Sequence, residues 1–331
     1  MNITIVGLGA IGGLIGARLA SAGANVSVVA RGAKLAALQA GGLDVQHADG
    51  SPGIRGAAIR AVSDPAELDS QDVVIIAVKA TQLAAAVATI SSLIGPSTLV
   101  MTAMNGVPWW FFGPGTGVQA GLALPSLDPH GELGRAVPIE RTLGCVVHLS
   151  AACPRHGAVR LNFGNRLLVG AASTTGTDLA AASRPLMRLL TAGGFDAAWS
   201  DDIRRDIWYK LWGNMTINPI SVLTGATADR ILDDPLVHRF CLAAMGEASV
   251  IGARIGCPID QSGADRMAVT RELGAFKTSM LLDAESGKAL EIDALITVVH
   301  EIGQAVGVAT PAIDSLLGLI RLNARCHGLY C

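Results

Sequence analysis

Two groups of residues in this 331-residue chain have the types and spacing that chemistry needs. Lys210, Asn214 and Asn218 recur at intervals of four in WYKLWGNMTINP, residues 208–219. On a helix this spacing stacks an ammonium and two amides along one face, while Trp208, Leu211, Trp212, Met215 and Ile217 point elsewhere. A polar line on so apolar a helix is costly unless it lines a cavity. There the ammonium can give a proton to an oxygen that is becoming an alkoxide. Its ordinary pKa is about 10.4, so burial or a neighbouring cation must lower it, and a nearby carboxylate would hold it charged. The amides can bind a carboxylate or hydroxyl without adding charge. The competing reading is an exposed lysine beside two solvated asparagines. Pro219 removes one backbone donor and frees the carbonyl of Met215, which predicts a kink near Asn218.

The second group is Gly7, Gly9 and Gly12, in the G-x-G-x-x-G spacing directly after the apolar run Ile3-Thr4-Ile5-Val6. Gly7 permits a sharp turn, Gly9 leaves room for a pyrophosphate, and Gly12 lets a helix press on the strand. The helix opened there aims the N–H groups of its first turn, at Ala10, Ile11 and Gly12, at phosphate oxygens. A second strand over 25–30 ends at Arg31, the position that normally meets the adenosine ribose. A carboxylate there would select a free 2′-hydroxyl; a cation pairs with a 2′-phosphate. Lys34 lies close and no acid does, so NADP(H) is the expected cofactor.

These groups need elements to hold them. Half the chain is hydrophobic, enough for two domains with sizeable cores, and the net charge of −2 is scattered over both signs. Neither nucleic acid nor an acidic membrane surface is an expected partner. The six cysteines form no C-x-x-C pair, and no histidine has metal-ligand spacing, so no metal is expected. A strand starting at residue 2 leaves no room for a signal peptide, and a cytoplasmic enzyme is expected. Residues 80–127 carry no charge and no histidine, but Gly95-Pro96, Asn105-Gly106, Pro108 and Gly113-Pro114-Gly115 cut the stretch into pieces too short to span a bilayer.

Further strands are expected over 42–45, 54–62, 73–78, 98–103, 143–150, 158–162 and 166–171, with helices over 34–40, 80–94 and 178–190. Lys79 and Asn105 then fall at carboxyl ends of strands, where open α/β sheets bind ligands. Lys79 is either a ligand or a simple strand-end charge. Asn105 either orients a nicotinamide or substrate carbonyl or belongs to an Asn-Gly turn. Trp109-Trp110-Phe111-Phe112 is open between a lid, a subunit interface and core. From Ile203 onward the periodicity is helical. The fold expected is α/β, an N-terminal Rossmann-type doubly wound sheet over 1–199, followed by an all-α domain over 200–331 for substrate binding and dimerisation. A working enzyme of this kind requires Lys210 and the Gly9 turn to serve one crevice.

On these motifs the chain resembles the ketopantoate reductase (2-dehydropantoate 2-reductase) family over nearly its whole length. The resemblance rests on GLGAIGG at 7–13, Arg31-Gly32, AVKATQ at 77–82, Asn105-Gly106, W-x-KL-x-x-N-x-x-x-NP at 208–219 and SMLLDAESGKALEID at 279–293. It implies NADPH-dependent reduction of a small 2-keto acid, with 2-dehydropantoate as leading substrate. It further implies Lys210 as general acid, Glu291 as the glutamate beside it, Lys79 and Gln82 near the cofactor, and Asn105, Asn214, Asn218 and Ser279 on the substrate side. A homodimer is also expected. Two departures stand out: Ala294-Leu295-Ile296-Thr297 is more apolar than the small polar turn common at that place, and 108–141 is long and aromatic. Both would reshape a substrate pocket, which keeps a bulkier 2-oxo acid as an alternative. A non-catalytic NADP(H) sensor is the reading from another class, and its mark would be loss of the lysine.

Overall fold

In the computed structural model, which describes residues 1–176 and 178–330, Cys331 lies outside the described residues. The chain forms two units. The first takes in Met1–Met104, Gly113–Thr116 and Gly131–Ile203; the second takes in Asn105–Phe112, Gly117–His130 and Arg204–Cys331. Two stretches of the first two hundred residues therefore pack with the helical half, and the division is not one cut in the chain.

The first unit is built on β1 (Asn2–Val6), β2 (Asn25–Val29), β3 (Leu43–His47), β4 (Ile54–Ala57), β5 (Arg60–Val62), β6 (Val73–Ile76), β7 (Leu99–Thr102), β8 (Thr142–Arg155), β9 (Ala158–Ala171) and β10 (Asp196–Ser200). They make one mixed sheet in the order β4-β3-β9-β8-β7-β6-β1-β2-β5, with β10 beside β9. Strands β5, β2, β1, β6, β7 and β8 are mutually parallel, and the order reverses at β1. That is the doubly wound sheet expected, with its switch point between β1 and β6. All four residues of β6 are buried, as a central parallel strand requires.

Helix α1 (Ala10–Ser21) explains why its own sequence is glycine-rich. A Cβ at Gly13 would fall 2.8 Å from Val159, and one at Gly16 would fall 3.3 Å from Ile5. The helix is enclosed on several sides, and only glycine leaves the strands close enough to bury Leu14, Ile15 and Leu19 completely. The rest of the unit's helices are α2 (Gly32–Gly41), α3 (Leu83–Leu93), α4 (Glu132–Ala136), α5 (Leu179–Ala182) and α6 (Arg184–Ala192).

Several local expectations need correction. The single strand expected over 54–62 is two, β4 antiparallel to β3 and β5 parallel to β2. Residues 58–59 connect them, and Ile59 passes over Gly16 of α1. The three short strands expected over 143–171 are the two long antiparallel strands β8 and β9, whose bulges interrupt the alternation. Strand β10 was not expected, and the helix expected over 178–190 is two, with Pro185 starting the second. A 3₁₀ turn, Ala80–Gln82, precedes α3.

The second unit is helical, as expected, in α7 (Ile203–Thr224), α8 (Ala228–Asp233), α9 (Pro235–Arg254), α10 (Gly263–Glu272), α11 (Ser279–Glu285), α12 (Val298–Ala305) and α13 (Pro311–Cys326). A π turn, Asp293–Thr297, leads into α12. Among the described residues α9 is long and apolar enough by composition to cross a membrane, and one of its faces is buried through Cys241, Ala244, Met245, Ala248 and Ile251. Helix α7 is clamped to α9 by its tryptophans: Trp208 Nε1 donates to the carbonyl of Ala248 (3.2 Å) and Trp212 Nε1 to that of Met245 (2.8 Å). Each indole thus buries its apolar body and satisfies its one donor. Trp110, Phe111 and Phe112 are buried in this unit's core, where the Arg204 guanidinium lies 4.8 Å and 5.3 Å from the two phenyl rings.

Candidate functional site

In the first unit the glycine turn follows β1. Gly7 has φ of +101°, and a Cβ there would meet the backbone nitrogen of Val78 at 2.6 Å. Only glycine tolerates both, so β1 can run against the end of β6 and bring Lys79 to the turn. Gly12 is equally constrained: its Cβ would sit 3.0 Å from Ile5 Cγ2 and from Ala77 Cβ. Gly9 differs. It is exposed, nothing lies within 4 Å of where its Cβ would be, and it starts α1 without a side-chain cap. The first-turn N–H groups of Ala10, Ile11 and Gly12 have no intrahelical acceptor. Helix-start donors beside an unobstructed Gly9 are of the kind that could hold a pyrophosphate.

Arg31 is exposed at the N-cap of α2, two residues past the end of β2. Lys34, one turn on, is partly buried and donates from Nζ to the carbonyl of Leu8 (3.1 Å), which sets its charge at the glycine turn. Lys79 is half-buried before the 3₁₀ turn that follows β6, and Gln82 is exposed at the start of α3.

The second unit holds Asn105, Lys210, Asn214, Asn218, Ser279 and Glu291. Lys210 Nζ donates to Asn105 Oδ1 (2.8 Å), with both side chains partly buried. The amide oxygen accepts one of the ammonium's protons and so orients it toward the segment that carries Asn105. Asn105 is presented by its neighbours. Gly106 has φ of +81°, and a Cβ there would lie 2.7 Å from the carbonyl carbon of Ala294. Val107 N–H donates to the Ala294 oxygen (3.0 Å), fixing this segment to the π turn. Glu291 is half-buried in the connection just before that turn.

Down α7 from Lys210, Asn214 is half-buried and Asn218 is 6% exposed. The polar stripe is therefore not a solvated face. Ser221 Oγ donates to the Asn218 carbonyl (2.6 Å) and shares a hydrogen bond with Thr278 Oγ1 (2.6 Å). Thr278 in turn caps α11 by accepting from Leu281 N–H (3.1 Å), which puts Ser279 at the exposed first position of that helix. Ser221 and Thr278 were missed in the sequence, where they are 57 residues apart and neither carries a motif.

The Gly106 contact yields a direct expectation. Gly106→Ala imposes a left-handed conformation on a residue with a Cβ and drives that Cβ into Ala294, at a cost of about 1–3 kcal/mol. The denaturant midpoint should fall accordingly; a wild-type midpoint would contradict the close approach.

Comparison with known proteins matches residues 3–174 to the family described as Ketopantoate reductase PanE/ApbA, and residues 202–324 to its C-terminal part. The chain is 39% identical to a 2-dehydropantoate 2-reductase of Mesorhizobium japonicum, covering 100% of both chains. It is 55% identical to a crystal structure from Ralstonia solanacearum described as a candidate ketopantoate reductase, with a TM-score of 0.92 and 99% of each chain covered. A D-mandelate dehydrogenase solved with NADH and anilino(oxo)acetate shares the fold at 22% identity, with a TM-score of 0.82 over 99% of this chain and 100% of that one.

Proposed function

This chain belongs to the ketopantoate reductase family, and from that premise we propose that it reduces 2-dehydropantoate to pantoate with NADPH, Lys210 acting as general acid. Family membership makes it a nicotinamide-dependent oxidoreductase of the CH–OH group. The observation that carries the finer reading is the Lys210–Asn105 hydrogen bond, an oriented ammonium on a helix whose other faces are buried.

When bound, the reduced nicotinamide supplies the hydride to the keto carbon. The chain's residues do the rest. In this reading Gly9, Ala10, Ile11 and Gly12 bind the pyrophosphate, Arg31 the 2′-phosphate, and Lys79 and Gln82 flank the cofactor. Lys210 Nζ hydrogen-bonds the keto oxygen and passes it a proton as negative charge develops there. Asn105 keeps the ammonium aimed. Glu291 holds the lysine, and Asn214, Asn218 and Ser279 bind the carboxylate and hydroxyl of the substrate. Self-association through the second unit completes the reading, in which Leu319 and Leu322 are exposed on α13.

A second reading, a bulkier 2-oxo acid as substrate, draws on the half-buried Trp109 and on the apolar Ala294-Leu295-Ile296 run, both in the second unit. Steady-state assay over a panel of 2-keto acids separates the two. The first reading expects the highest kcat/KM for 2-dehydropantoate; a value near background for it, with a larger keto acid turned over well, would select the second.

Lys210→Ala should lower kcat by about two orders of magnitude or more while NADPH binding is kept, as loss of a general acid predicts. An unchanged kcat would remove Lys210 from the mechanism. Arg31→Ala should raise the Kd of NADPH far more than that of NADH, measured by fluorescence titration, because only NADPH carries the phosphate. Equal loss for both would show that Arg31 does not select the cofactor.

A further inference from the structure

Glu291 stands in a non-helical connection between α11 and the π turn, so no helical ladder holds its backbone. It is instead bracketed by the segment that follows α13. That helix closes through Gly328, with φ of +66°, and Leu329 N–H returns to the carbonyl of Ala324 (2.8 Å). The Leu329 carbonyl then accepts from Leu290 N–H (2.9 Å), one residue before Glu291. Tyr330 Oη donates to Asp293 Oδ1 (2.6 Å), two residues after it, and Thr297 Oγ1 donates to the same oxygen (2.9 Å). Leu290 is 1% exposed. The Arg325 guanidinium lies 5.5 Å from the centre of the Tyr330 ring.

Burial pushes the Tyr330 phenol up to about 12, and the bond to Asp293 acts in the same direction. The hydroxyl therefore keeps its proton, and donates it to a carboxylate, across any ordinary assay pH.

We propose that Tyr330 is a positioning residue for Glu291. Leu329 fixes the chain on one side of the glutamate and Tyr330 fixes it on the other, so Glu291 and Ile292 are held between two anchors. The same π turn receives Val107 through Ala294, so the clasp also sets the register between Glu291 and the segment that aims Asn105 at Lys210. The inference rests on the function proposed above, in which Glu291 holds Lys210.

Tyr330→Phe removes the hydroxyl and keeps the ring. It should lower kcat/KM for the keto acid about tenfold, the size expected for a lost hydrogen bond to a charged group, and leave the NADPH Kd at its wild-type value. Added to Glu291→Gln, it should cause no further loss, because the residue it positions is already gone. A purely structural role would lower the melting temperature and cost the same factor in both backgrounds, which would overturn the proposal. Wild-type kcat/KM in Tyr330→Phe, with Glu291→Gln impaired, would overturn the clasp alone. Wild-type kcat/KM in Glu291→Gln would overturn the clasp together with the role given to Glu291. If Tyr330→Phe is too unstable to assay, Asp293→Asn weakens the same bond and is read by the same outcomes.

Discussion

The second unit depends on one close backbone approach, Gly106 against the carbonyl of Ala294. The approach is possible only without a Cβ, and it lets Val107 N–H take up the Ala294 oxygen. A donor from outside that bonds a helix carbonyl is a known source of irregularity in the ladder, and this one lies within the π turn. From that fixed point Asn105 meets Lys210, and Glu291 stands three residues before the shared carbonyl. Two residues apart in sequence, Asn105 and Val107 link an ammonium on α7 to a backbone site on the path into α12. Such linkage is what a lysine needs if its direction, and not only its presence, is to count.

The first unit follows the same logic at its glycine turn. At Gly7 and Gly12 strand and helix leave no room for a side chain; at Gly9 a Cβ would meet nothing within 4 Å. The contacts at Gly7 and Gly12 are with the protein's own backbone and strands, whereas Gly9 faces none. Helix α1 carries three glycines, Gly12, Gly13 and Gly16, that lower its intrinsic helicity, and burial of Leu14, Ile15 and Leu19 offsets this.

What the sequence made legible was local. The turn glycines are read from spacing because the motif is a turn, and Lys210, Asn214 and Asn218 from spacing because a helix repeats every 3.6 residues. The doubly wound sheet was readable from alternating apolar runs and helical segments. What it hid was long-range. Ser221 and Thr278, or Asp293 and Tyr330, come together only after several helices have packed, and Glu291 lies in a connection with no period to detect, so it came from family resemblance alone. Strand β10 is five residues of Asp-Ala-Ala-Trp-Ser with no alternation, paired with β9 at the side of the main strand path. The aromatic run was open between lid, interface and core; Trp110, Phe111 and Phe112 are core, a result set by Arg204 and Trp208 nearly a hundred residues away.

A crystal soaked with NADP and 2-dehydropantoate tests most directly whether these arrangements serve one reaction. The pyrophosphate should lie on the N–H groups after Gly9, and the keto oxygen should be at hydrogen-bond distance, about 3 Å, from Lys210 Nζ. A keto acid bound out of reach of Lys210, or a cofactor bound away from the glycine turn, would contradict the proposed function.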